Sequence, residues 1–236
     1  MMMLCQLCFQ NKKLVRSHVI PKSFYKNAYP NADGVLVSQN DHSKRIPIGI
    51  YDQILCQECE NKFSIWDDYG NNFFNEVIIF NHNPIRRNGT VIGDRIDEVD
   101  YEKLKLFILS ILWRAEVSNN SFFDQISLGP FRDTLRTMIL NSDAGSEDDF
   151  SIIVRRFHFK NNRVLHPPLK TKIHCNADVI NIYKIYFFNA EVIIKVDHRS
   201  LTKFRELIFS RGKPLIVGLA ELPEIIKLLN QSQLIF

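Results

Sequence analysis

Several absences narrow this 236-residue chain before any motif is read. No apolar run approaches the roughly 18–20 residues of a spanning helix. The longest, Leu106–Trp113, is bounded by Lys105 and Arg114. The Met-Met-Met-Leu start runs at once into Cys5 and does not read as a signal peptide. The expectation is a soluble, cytoplasmic protein with no membrane partner. There is no Gly-rich phosphate loop and no serine-nucleophile motif, which argues against nucleotide cradling and acyl transfer. No internal repeat and no low-complexity tract appears, which argues against a solenoid or a tail.

Charge of one sign is scarce overall, with 30 Lys/Arg against 26 Asp/Glu, so net charge says little. Its distribution says more. Residues 1–48 hold seven Lys/Arg and two acids, and residues 151–175 hold six Lys/Arg and no acid. These two stretches are where a polyanion would bind, or they are solvated basic faces. Hydrophobic content of 45% is ordinary, so the chain can bury a core as one large domain or two small ones.

Cysteine is also scarce, but four of the five fall into two pairs, Cys5-Gln-Leu-Cys8 and Cys56-Gln-Glu-Cys59, leaving Cys175 over. In a reducing compartment such pairs favour metal over disulfides. Four thiolates from two turns suit a closed tetrahedral Zn²⁺ site. With no open position for water, that zinc is expected to be structural. It would close the 47 residues between Cys8 and Cys56 into one loop.

Periodicity and turn residues predict the elements. Leu14–Ile20 and Ile46–Leu55 read as strands, 27–45 as a loop, and Cys59 to about Phe74 as a helix weakened at Gly70. Residues 83–100 read as a connector with a hairpin at Asn88-Gly89. Asp100 caps a central helix, Tyr101 to about Val117, and a second helix follows Gly129-Pro130 to about Leu140. Phe150–Lys160, Val179–Phe188 and Glu191–Asp197 read as strands, and Pro167-Pro168 as part of a loop. A helix is expected at Ser200–Ser210, a strand at Pro214–Leu219 and a final helix from Glu221. The fold class expected is α+β: an N-terminal zinc-bound treble-clef (ββα) unit over 1–82, then a mixed helix and antiparallel-sheet domain over 83–236. The second domain would be helical over 100–141, mostly β over 150–198, with a helical C-terminus.

The order of knuckle, strand with Ser17-His18-Val-Ile20-Pro21-Lys22, loop, strand, knuckle and helix resembles the HNH endonucleases. These are the zinc-containing branch of the His-Me (ββα-metal) finger nucleases. The likeness covers about the first 75 residues and rests on Cys5, Cys8, His18, Ile20-Pro21-Lys22, Cys56 and Cys59. It implies a metal-dependent endonuclease acting on nucleic acid, with DNA as the expected substrate. It implies His18 as the general base that activates water, beside a Mg²⁺ or Mn²⁺ ion. Glu60, opening the helix, takes the place of the family's metal ligand, with Asn61 and Asp67 as further ligand candidates. Small proteins of this kind resemble effectors of restriction and anti-phage defence.

Three departures open other readings. Ser17 precedes the histidine where the family often has an acid or His. Tyr51, Asp52 and Gln53 stand where an Asn is common, and Glu60 follows the last Cys. His18 then reads alternatively as a structural histidine or an extra zinc ligand, and Glu60, Asp67 and Asp68 as a solvated helix face. The chain as a whole reads alternatively as a catalytically inactive zinc module binding nucleic acid or a protein. A third reading places a protein partner on 83–236. Candidate nucleic-acid contacts are Lys12, Lys13, Arg16, Lys22, Arg156 and Lys160.

Overall fold

The computed structural model describes residues 2–28, 35–36, 44–45, 49–80, 83–157 and 164–221. The expected final helix after Glu221, the end of the strand expected to reach Lys160, and most of the loop 27–45 lie outside these.

The N-terminal part opens with β1 (Met3–Leu4) and β2 (Asn11–Lys12), an antiparallel pair around the first knuckle. β3 (Leu14–His18) runs on into α1 (Lys22–Ala28) after Pro21. The backbone of β4 (Val35–Leu36) pairs with β5 (Lys44–Arg45). β6 (Tyr51–Cys56) then pairs antiparallel with β3 and leads through the second knuckle into α2 (Gln57–Asn72). A π-helical stretch, Phe73–Val77, continues α2 into α3 (Ile78–Phe80). The wider turn lets the adjacent Phe73 and Phe74 both be buried.

Residues 83–100 are more than a connector. β7 (Asn83–Arg87) and β8 (Thr90–Ile96) form the hairpin expected at Asn88-Gly89, both residues having positive φ, and they close one edge of a large sheet. α4 (Tyr101–Val117) is the central helix, N-capped by Asp100 and buried on nearly every side. A 3₁₀ turn at Gly129–Phe131 leads into α5 (Arg132–Asn141).

β9 (Ile152–Phe157), β10 (Val164–Cys175), β11 (Asp178–Phe188), β12 (Ala190–Lys195) and β13 (Leu215–Ala220) complete a seven-stranded sheet ordered β10-β11-β12-β9-β13-β8-β7. Three expectations are corrected here. The sheet is mixed, because β13 runs parallel to β9. Pro167-Pro168 lies within a strand, β10, whose register shifts between His166 and Leu169. β10 is an edge strand, where missing N–H donors and a bulge are tolerated. The helix expected at Ser200–Ser210 is a 3₁₀ segment, Thr202–Leu207.

One apolar cluster runs from Cys5 through α2 and α4 to Val217. Its centre is a knot of rings, where Phe24 of α1 stacks on Phe107 and on Phe188 at 5.5 Å each, and Phe74 meets Phe187 at 4.5 Å. Gly70 is where α2 and α4 cross. A Cβ there would lie 2.4 Å from the Phe107 ring, so the residue read as a helix weakener permits close packing instead. Among the described residues no helix is long and apolar enough to cross a membrane.

Candidate zinc centre and histidine strand

The first knuckle is a tight turn between β1 and β2. The Cys5 N–H donates to the Gln10 carbonyl (3.0 Å), the Phe9 N–H to the Cys5 carbonyl (2.9 Å), and Phe9 takes a left-handed φ of 57°. The second knuckle is the junction of β6 and α2. Cys56 is the N-cap residue, and Cys59 sits in the first turn near the positive end of the helix dipole. The Gln6 N–H donates to the Ile54 carbonyl (2.9 Å) and the Cys56 N–H reaches the Cys5 sulfur (3.4 Å), which binds the knuckles together.

The sulfurs of Cys5, Cys8, Cys56 and Cys59 all lie within 4.8 Å of one another, with Cys8 and Cys56 at 4.0 Å. A tetrahedron of thiolates at the usual Zn–S distance of about 2.3 Å has edges of about 3.8 Å, so the donor set fits a structural Zn²⁺ ion. All five cysteines are free of disulfides. Burial opposes ionisation of Cys5, but the N–H groups of Cys8, Cys56 and Leu7 outweigh it and bring its pKa to about 7. Burial pushes Cys59 up. Arg136 of α5 docks on the first knuckle, donating to the Leu7 carbonyl (2.9 Å) with its guanidinium over the Phe9 ring at 4.2 Å.

His18 ends β3, half-buried. Its ring lies against Tyr51, its cross-strand partner, with centroids 5.7 Å apart, and its carbonyl accepts from Arg114 (2.9 Å). Ser17, fully buried, donates to Glu60 at 2.6 Å. Burial pushes the Glu60 carboxyl up, against the pull of Ser17 and of Arg114. Asp67, two turns further along α2, forms a two-pronged pair with Arg114 (2.8 and 3.1 Å). Burial pushes Asp67 up as well, against Arg114. Arg114 is 1% exposed and also bonds the Ser110 hydroxyl and carbonyl.

The other sequence-predicted residues are spread out. Asn61 is exposed and accepts from Gln57 (2.7 Å). Asp52 bonds the N–H of Asn119 (2.6 Å) and the hydroxyl of Ser118 (3.2 Å), fastening the exit of α4 to β6. Lys12 pairs with Glu58. Lys13, Arg16 and Lys22 are exposed, and the Arg16 guanidinium lies over Tyr51 at 4.8 Å. Arg156 sits in the large sheet, bonded to the buried Asp94. Lys160 lies outside the described residues. Among the described residues, the four cysteines are the one group of three or more Cys, His, Asp or Glu side chains whose ligand atoms converge.

Sequence reasoning missed Ser17 as the holder of Glu60 and Arg114 as the partner of Asp67. A signal for Arg114 was present: a cation abutting the apolar run of a central helix must find a buried partner. Compared with family models, curated proteins and solved structures, the chain matches none.

Proposed function

We propose that this protein is a zinc-held module that binds nucleic acid through its basic N-terminal face and does not hydrolyse it. Residues 2–28 carry Lys12, Lys13, Arg16, Lys22 and Lys26 and no acid. All of these but Lys12 are exposed, and they lie on or next in sequence to the strand that carries His18. Such a face attracts a polyanion.

The observation that carries the non-catalytic part is the engagement of Glu60 and Asp67, the two carboxylates of α2 that face the histidine strand or its anchor Arg114. Glu60 is taken by Ser17, and Asp67 is neutralised by the two prongs of Arg114. A hard divalent ion needs carboxylate charge facing it, whereas Asp67 is paired with Arg114 and burial opposes ionisation of Glu60. Zinc-loaded protein should therefore retard DNA at low salt and leave supercoiled plasmid intact with Mg²⁺ or Mn²⁺.

One observation favours a hydrolase instead. The Ser17–Glu60 bond holds a carboxylate beside the strand end that carries His18, where a metal ligand of a hydrolase with His18 as base would have to stand. Metal-dependent nicking that disappears in His18→Ala would replace the binding-only reading with that one.

A further inference from the structure

We infer that the face formed by Arg16, Tyr51 and His18 is a stacking platform for unpaired bases, so that the nucleic acid bound is single-stranded. This rests on the nucleic-acid reading above and narrows it to a substrate class.

Alternation along β3 turns Ser17 inward, where it is fully buried, and turns its neighbours Arg16 and His18 outward. Opposite Arg16 the ladder is irregular. Val15 pairs with Leu55 and Ser17 with Asp52, so Gln53 and Ile54 of β6 together face one residue of β3. A bulge of this kind bends the strand and re-aims side chains. Its result is that one ring, Tyr51, meets both outward residues: the guanidinium at 4.8 Å and the imidazole at 5.7 Å, tilted by 57°. Arg16 is exposed, and Tyr51 and His18 are half-buried.

The Arg16 guanidinium lies over the Tyr51 ring, with the His18 ring tilted against it, so the flat surface presented to a base is the exposed guanidinium backed by that ring. A duplex keeps its base faces covered by neighbouring bases and shows a protein only phosphates and groove edges. A single strand can splay a base out onto an aromatic ring or a guanidinium plane. The exposed Lys13, Lys22 and Lys26 on the flanking segments suit the backbone on either side.

The test is fluorescence anisotropy of the full zinc-loaded chain with labelled oligo(dT), oligo(U) and a mixed-sequence duplex at one salt concentration. At least one single strand is expected to bind about 10-fold tighter than the duplex or better. Tyr51→Ala and Tyr51→Leu are expected to lose about 10–100-fold for the single strand. Duplex affinity should stay within about 2-fold in both, and the salt dependence should not change. Tyr51→Phe keeps the ring and should bind like the wild type. Lys22→Ala should lower the salt slope by about one. Zinc content and circular dichroism show that each variant is folded. Duplex binding as tight as single-strand binding, or equal losses on both probes in Tyr51→Leu, overturns the platform and leaves a nucleic-acid-binding face standing. Binding to none of the probes overturns the nucleic-acid reading itself.

Discussion

At the residue scale, Arg114 does more than any other charged side chain near the histidine strand. It is buried, grips Asp67 with two prongs and holds the His18 carbonyl. Removing one member of a buried pair leaves an uncompensated charge and costs about 3–5 kcal/mol. Arg114→Ala should therefore lower the thermal midpoint by roughly 6–20 °C, at about 2–4 °C per kcal/mol for a chain of this size. Arg114→Lys should rescue little, because an ammonium cannot reproduce the fork. Glu60 gives a pH-dependent prediction. Burial holds its folded-state pKa above the unfolded value of about 4.3, so between the two the folded chain keeps a proton the unfolded chain has lost. The contribution of this group to stability falls as pH rises through that window, and the penalty stands in full above the folded pKa. Glu60→Gln should be stabilising relative to wild type at pH 7 and not at pH 4, as read from urea melts. The convergence of the four cysteines was legible from spacing alone, because a knuckle is a local pattern. Ser17→Glu60 and Arg114→Asp67 were not, since each joins residues more than forty positions apart that only the packing of α2 brings together.

At the element scale, the α2–α4 crossing sets the position of the histidine strand, and Gly70 sets the crossing. Gly70→Ala would gain up to about 1 kcal/mol of helix propensity. It would also drive a methyl into the Phe107 ring, and overpacking costs about 1–3 kcal/mol. The net result should be a destabilised protein, with loss of midpoint in a thermal melt; an unchanged or raised midpoint would show that the helices separate without penalty. Strand and helix periods predicted α4, the β7–β8 hairpin and the strands β11 and β12, because amphipathic pattern and turn chemistry act within a few residues. β10 was hidden by Pro167-Pro168, since a sequence does not say which strand will lie at an edge and tolerate them. The parallel placement of β13 beside β9 was likewise invisible, being a matter of long-range sheet order.

At the scale of the whole molecule, the zinc knuckles are joined to the rest of the chain. Arg136 of α5 grips Leu7 and Phe9, Lys62 reaches the Leu140 carbonyl, and the Phe24 ring lies among rings from α4 and β11. Stripping the metal should thus be felt globally rather than by a detached finger. Chelation, or Cys56→Ser, should lower the midpoint by roughly 10 °C or more, consistent with several kcal/mol of metal-linked folding energy. One equivalent of zinc per chain by elemental analysis should accompany the stable form. A native gel of labelled nucleic acid with zinc-loaded protein in Mg²⁺ and in Mn²⁺ reads binding and integrity together. A zinc-held binder without hydrolytic activity gives a retarded band at low salt, lost on raising the salt or removing zinc, with the nucleic acid recovered at full length. Shortened fragments, or no retardation at low salt, would contradict that reading.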